Sequence, residues 1–201
     1  MPKLAILDDY HDVVLKWIDW SVLPDDYDIE LFTKPFTDEN ATAEALQGFE
    51  IIVANRERTP FPRSLLEQLG DTKLLVTTNM RNLAIDMDAA RENGIMVCGT
   101  KVIIGPAAEM TWGLILALTK KIPAENAAMH DGDWQTQFGE VLARKTLGIV
   151  GVGKLGSMVA RYGLAFGMNV IGWSENLTEE RCAELGIQRV DKETIFRDSD
   201  I

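Results

Sequence analysis

The stretch Thr146-Leu-Gly-Ile-Val-Gly151-Val-Gly153-Lys-Leu-Gly156 constrains this chain more than any other. An apolar β run leads without a break into G-x-G-x-x-G, and a helical pattern follows. Leu155, Met158 and Val159, Tyr162, then Ala165 and Phe166 recur at i, i+3/4, i+7. A second apolar run, Met168 to Trp173, ends in Ser174-Glu175. In such a strand–turn–helix Gly151 allows the tight turn, Gly153 lets the backbone approach a diphosphate, and Gly156 lets helix and strand pack. The bare N–H groups and the dipole at the helix start favour the diphosphate charge. Glu175 follows roughly 20 residues after the glycines, where a carboxylate meets a ribose 2′-hydroxyl. NADP sites replace that carboxylate with an arginine. Here Ser174 comes first, Glu175 next, and no arginine stands before Arg181, so NAD is favoured over NADP. Were NADP the ligand, Ser174 and Arg181 would be its phosphate contacts.

The first hundred residues alternate between two patterns. Apolar, β-rich runs lie at Leu4–Leu7, Ile29–Phe32, Ile51–Ala54, Leu74–Thr77 and Ile95–Val97. Helix-like stretches separate them: Val13–Trp17, Ala41–Leu46 after the cap candidate Asn40, Ser64–Leu69, and Asp86–Glu92 closed by Gly94. Parallel strands need a crossover, usually a helix, so this alternation predicts a doubly wound α/β domain over residues 1–100. Gly105-Pro106 then starts a helix whose apolar residues, from Met110 to Leu118, fall on nearly every face, which predicts burial. Lys120 and Lys121 close it, Pro123 stops it, residues 124–145 are mixed, and Asp131-Gly132-Asp133 forms a turn. The second domain is expected over residues 101–201.

Composition narrows the function classes. Hydrophobic residues are 46% and charged residues 25% of the 201, which excludes a disordered chain. A net charge of −11 disfavours nucleic acid and anionic membrane surfaces as partners. Two distant cysteines, Cys98 and Cys182, exclude a disulfide framework and a zinc site, and fit a reducing, cytoplasmic setting.

Further motifs carry a resemblance. Thr77-Thr-Asn-Met-Arg81-Asn82-Leu-Ala-Ile-Asp86, Ala90-Arg-Glu-Asn-Gly94-Ile-Met-Val97, Pro106-Ala-Ala-Glu109, Gly132-Asp-Trp134 and the glycine segment from Lys145 occur in an order and spacing that resemble the D-isomer-specific 2-hydroxyacid dehydrogenases. The resemblance covers roughly residues 50–201. It implies a flavodoxin-like substrate domain followed by the first half of a Rossmann dinucleotide-binding domain. It implies NAD(H)-linked interconversion of a 2-hydroxy acid and a 2-oxo acid, and a homodimer at full length. Lys154 and Leu155 would lie over the diphosphate, with Ser174 and Glu175 beside the ribose. Asn79, Met80 and Arg81 would face the substrate carboxylate through their backbone N–H groups. The family usually has glycine where Asn79 stands, and asparagine tolerates the left-handed backbone a glycine turn uses.

By the same resemblance the substrate-binding arginine, its glutamate and the acid/base histidine are expected beyond Ile201, because residues from Gly148 onward supply about one mononucleotide half. The 201-residue chain by itself is then expected to lack turnover, and its half sheet to leave the helix Met110–Leu118 partly uncovered. A non-catalytic, dinucleotide-sensing interaction protein on the same fold is the alternative. Among remaining candidates, Arg81 is a carboxylate clamp or a surface residue at a helix start. Arg56 and Arg58 follow the third strand, and His11 follows the first. His130 reads as a surface turn, Met80, Met87, Met96 and Met110 as core or loop fillers, and Cys98 as a small buried hydrophobe.

Overall fold

Five short runs of apolar residues form the sheet of the N-terminal unit. In chain order the elements are β1 (Lys3–Leu7), α1 (Val14–Trp17), β2 (Asp28–Phe32), α2 (Glu39–Ala45), β3 (Ile51–Ala54), α3 (Arg63–Leu66), β4 (Leu74–Thr77), α4 (Met87–Glu92) and β5 (Met96–Gly99). The computed structural model describes residues 1–24 and 26–201 and divides into two units, Met1–Val102 and Ile103–Ile201. All strand pairs in the first unit are parallel, in the order β2-β1-β3-β4-β5. That is the flavodoxin-like order, whose switch point lies between β1 and β3. Leu4 stands opposite Ile29 on one side and Ile51 on the other. Leu7, Leu46, Ile52, Phe61, Leu65, Leu66 and Leu75 fill its core.

Local chemistry sets the helix ends. The Asp38 carboxylate accepts the Ala41 N–H at 2.9 Å, so Asp38, not Asn40, caps α2, and Asn40 lies inside the first turn. Asp86 caps α4 through the Ala89 N–H at 2.8 Å. α3 is shorter than the stretch Ser64–Leu69 suggests, because Gln68 and Leu69 donate three residues back, to Leu65 and Leu66, and tighten the chain out of the helix. β5 is an edge strand with no following helix in its unit to cover it. Cys98 is therefore exposed, not the buried hydrophobe its sequence position suggests. Met80, Met87, Met96 and Met110 are exposed as well. They lie on a loop, the first turn of α4, the edge strand and the outward face of the next helix.

The second unit contains α5 (Gly105–Thr119), α6 (Ile122–Asp131), β6 (Thr146–Val150), α7 (Lys154–Ala165), β7 (Asn169–Trp173), α8 (Glu179–Leu185), β8 (Gln188–Arg189) and α9 (Lys192–Asp198). Its parallel sheet runs β6-β7-β8, the order of one Rossmann half. At the outer side of β6, Gly148 donates to the Ile201 carbonyl at 2.8 Å and Ile201 donates to Thr146 at 3.2 Å. Trp112 of α5 stacks on Phe166 with centroids 4.6 Å apart and points its indole N–H at the Val159 carbonyl.

α5 is not buried all round. Ala108, Trp112 and Thr119 are buried, but Met110, Leu114 and Leu118 are 63%, 64% and 71% exposed. The Trp112 side packs on α7 and the helix also meets α6, but neither covers Met110, Leu114 and Leu118, so apolar composition on every face overstates the burial. Lys121 turns in the left-handed region, with φ 58°, and Pro123 sits in the first turn of α6. Pro123 thus opens a second helix within the stretch that reads as mixed, and Gly132, with φ 92°, ends it.

Candidate dinucleotide site and the loop after the fourth strand

The carboxyl end of β6 feeds a turn that only glycine fits. Gly151 adopts φ 96° and donates its N–H to the Trp173 carbonyl at 2.8 Å, joining the loop to β7. A Cβ on Gly156 would collide with the Gly151 carbonyl, whereas a Cβ on Gly153 would meet nothing within 4 Å. Gly156 is therefore a packing glycine, and Gly153 leaves open space for another group to approach. Lys154 and Leu155 form the exposed first residues of α7, and no side chain caps that helix. Its amino end keeps the N–H groups and positive dipole that stabilise an anion.

The far end of the site is built from the β7–α8 connection. The Ser174 hydroxyl accepts the Val152 N–H at 2.7 Å. It therefore braces the glycine loop, a role that spacing alone does not reveal. Glu175 is exposed and takes part in no salt bridge among the described residues. Gly151 to Gly153, Ser174 to Leu177 and Arg181 line one hollow. The structure thus brings the predicted cofactor residues to one end of the β6–β7 sheet, with Arg181, the phosphate contact expected for NADP, in the same hollow, and adds Val152. The geometry fits a dinucleotide: open space over Gly153, an uncapped helix head, and the Glu175 carboxylate in the hollow after β7.

In the first unit, Asn79, Met80 and Arg81 follow β4. Asn79 keeps its backbone out of the left-handed region, so the turn does not use the tolerance expected of asparagine. Instead its Oδ1 accepts the Met80 N–H at 2.8 Å. That N–H, predicted to face a carboxylate, is already engaged within the loop. Met80 and Arg81 line a hollow with Thr77, Asn82, Val97 and Gly99. Arg81 lies in an irregular loop segment just after a bend, not at a helix start. Buried Asn82 holds the base of the loop, donating to the Arg56 carbonyl at 2.6 Å and to Thr77 Oγ1 at 3.0 Å.

The ends of β1 and β3 carry a polar network that sequence reasoning missed. Asp8 is 2% exposed, with φ 61°. Its carboxylate accepts from Thr59 at 2.9 Å and from the Tyr10 hydroxyl at 3.0 Å, and Arg58 donates to its carbonyl at 2.9 Å. Arg58 also lies over the Tyr10 ring, 4.6 Å from its centroid. Partial burial, then the hydrogen bond to Asp8, pushes the Tyr10 phenol above its ordinary value. Asp9 accepts the Val13 and Val14 N–H groups at 2.9 Å each, fixing the start of α1. The signal was present in Asp8-Asp9 directly after an apolar strand, at the end of the sheet where α/β proteins hold ligands. Arg56 is exposed with φ 58°, and His11 lies in the exposed turn after β1. His130 sits in the last turn of α6, with Nδ1 2.8 Å from the Asn126 carbonyl oxygen. The structure places neither histidine among the residues of the two hollows.

Residues 112–201 match the family described as D-isomer specific 2-hydroxyacid dehydrogenase, NAD binding domain. The chain is 29% identical over 194 residues to the D-3-phosphoglycerate dehydrogenase of Methanocaldococcus jannaschii, covering 95% of this chain and 36% of that protein. It is 31% identical over 152 residues to the hydroxypyruvate reductase of Thermotoga maritima, covering 74% and 49% respectively. A phosphoglycerate oxidoreductase structure from Vibrio cholerae superposes with a TM-score of 0.91 at 35% identity, over 100% of this chain and 65% of that one. The chain thus spans about a third to a half of these curated relatives. The glycine loop, the parallel β6-β7-β8 order and these similarities agree: the chain belongs to the D-isomer-specific 2-hydroxyacid dehydrogenase family.

Proposed function

We propose that this chain binds NAD(H) through its second unit and serves the interconversion of a small 2-hydroxy acid and its 2-oxo acid. One observation carries the reading: an uncapped α7 whose entry loop is open over Gly153 and braced by Ser174, with Glu175 beside it. The diphosphate lies over Gly153, Lys154 and Leu155, where backbone N–H groups and the Lys154 charge offset its own. Glu175 accepts the ribose 2′-hydroxyl and repels a 2′-phosphate, which favours NAD over NADP. Bound nicotinamide supplies or accepts the hydride at the substrate C2.

The first unit, residues 1–102, is the substrate domain in this reading. Arg81 offers a planar guanidinium for the substrate carboxylate, and the loop at Asn79 and Met80 adds N–H donors once the Asn79–Met80 contact opens. Neither His11 nor His130 is assigned the acid–base role at the substrate oxygen, so this chain alone is expected to bind dinucleotide without consuming it. The exposed row Met110, Leu114 and Leu118 on α5 is the surface offered to a second copy, giving a homodimer. The two free cysteines suit a cytoplasmic setting.

Calorimetric titration with NAD tests the central claim. One site per chain is expected, together with no NADH loss when glyoxylate, hydroxypyruvate or pyruvate is added. An absence of heat and of competition by ADP would overturn the cofactor assignment. Protein-dependent NADH oxidation would show that the acid–base group is in this chain after all.

A further inference from the structure

Resting on the reading of residues 79–81 as the substrate loop, we propose that Thr78 and Asn55 are positioning residues for it, clasping its entry to the ends of β1 and β3. Asp8, Asn55 and Thr78 are each the first residue after a strand, and β1, β3 and β4 are neighbours in the sheet. The Thr78 hydroxyl donates to Asn55 Oδ1 at 3.1 Å and accepts the Arg56 N–H at 3.1 Å. The Thr78 N–H continues the ladder by donating to the Ala54 carbonyl at 3.0 Å. Asn55 in turn donates from Nδ2 to the Asp8 carbonyl at 3.3 Å, the oxygen that Arg58 reaches at 2.9 Å. Three strand ends thus meet in one chain of hydrogen bonds that stops one residue short of Asn79.

The loop itself creates the need for such a clasp. Its Met80 N–H is held by Asn79 Oδ1 and has to be released before it can serve a carboxylate. Release removes a hydrogen bond that shapes the loop from within, so the loop then depends on what holds it from outside. On the β5 side, Gly99 lies so close that a Cβ there would collide with the Asn79 carbonyl. On the β3 side, Thr78 takes the Arg56 N–H and Asn82 donates to the Arg56 carbonyl. Gripped at both groups, Arg56 keeps a left-handed backbone, φ 58°, at a residue other than glycine. Asn82 is buried, whereas Thr78 is exposed, so the Thr78 hydroxyl can be removed without opening the core. Recognition through backbone N–H groups needs them held within about 0.5 Å. A residue that fixes the entry to the loop therefore sets affinity without touching the ligand.

The test is titration of the isotopically labelled 201-residue chain with glyoxylate, followed by NMR at the Met80 and Arg81 amides. Thr78→Val keeps the branched shape and loses the hydroxyl, and Asn55→Ala removes its partner. In both, the glyoxylate dissociation constant is expected to rise roughly fivefold. Thr78→Ser restores the hydroxyl and should bind within about twofold of the parent. Melting midpoints should stay near the parent's, because the clasp lies outside the core. If Thr78→Val and Asn55→Ala bind glyoxylate as the parent does, the proposal falls. It falls too if Thr78→Ser binds as weakly as Thr78→Val, or if affinity drops only in step with the melting midpoint. Should Thr78→Val fail to fold, Asn55→Ala and Thr78→Ser decide the matter. A parent whose Met80 and Arg81 amides do not respond to glyoxylate would remove the substrate-loop reading itself, and this inference with it.

Discussion

Ser174 and Val152 join the end of β7 to the glycine loop, the serine hydroxyl accepting the valine N–H at 2.7 Å. The residue that follows β7 thereby braces the loop that leads into α7. A single partly buried hydrogen bond contributes about 1 kcal/mol. Ser174→Ala is therefore expected to lower the stability of the second unit by about that amount. It should also weaken NAD binding by roughly 3- to 10-fold, because the loop must be ordered on binding. Urea unfolding and titration calorimetry on the same preparation check both numbers. An unchanged affinity with reduced stability would show that the loop holds its shape without the serine.

Two glycines of the motif should separate binding from folding. A Cβ at Gly156 meets the Gly151 carbonyl, so Gly156→Ala forces α7 away from the loop and should cost about 1–3 kcal/mol. A Cβ at Gly153 meets nothing, so Gly153→Ala should fold within about 0.5 kcal/mol of the parent. It should still lose most of its NAD affinity, because the methyl occupies the space left for the diphosphate. Circular dichroism melts with binding isotherms decide it. Full NAD affinity in Gly153→Ala would move the diphosphate elsewhere.

How much of this was legible in the sequence depends on what each feature rests on. The glycine loop was legible because backbone conformation is written in residue type: Gly151 needs a positive φ, and Gly156 needs a missing Cβ. The five strands of the first sheet were legible because each is a short apolar run set off by a helix-like stretch, even where, as in β2 and β5, the strand is an edge left partly exposed. Contacts between distant residues were not. Ser174 bracing Val152, and Thr59 meeting Asp8, depend on which strand ends the sheet order brings together. Burial was half legible: α5 is apolar all round, but its composition does not say which faces find a partner within the unit. The Asn79 turn misled because a side-chain acceptor for the Met80 N–H does the work expected of a left-handed backbone.

The Asp8 network should be a stability element of the first unit alone. Thr59→Val removes the hydroxyl that donates to a carboxylate only 2% exposed, while keeping the side-chain shape. A buried acceptor deprived of a donor costs about 1–3 kcal/mol. Hydrogen exchange should show faster opening around Leu4–Leu7 and Ile51–Ala54, with Leu147–Ile149 unaffected. Equal protection in the variant and the parent would mean that Tyr10 and Arg58 hold Asp8 without Thr59.

The two thiols should behave as opposites. Cys98 is exposed on the edge strand β5, whereas Cys182 is buried in the core of the second unit. Burial pushes the Cys182 thiol above its ordinary value, the Glu179 carboxylate pushes it the same way, and Arg189 opposes them weakly. At neutral pH a disulfide reagent should therefore label Cys98 quickly and Cys182 only through opening of the fold. Because the folded value is the higher one, the unfolded chain gives up its proton first. The stability tied to the neutral Cys182 thiol is then fully present below the ordinary thiol range, near 8.5, and is lost as the pH rises through the folded value. Slow-phase labelling should accelerate more steeply with pH than the fast phase, since opening and ionisation rise together. Cys182→Ser should abolish the slow phase and leave the fast one intact. Two equal rates at neutral pH would place Cys182 in contact with solvent and remove the basis for its raised pKa.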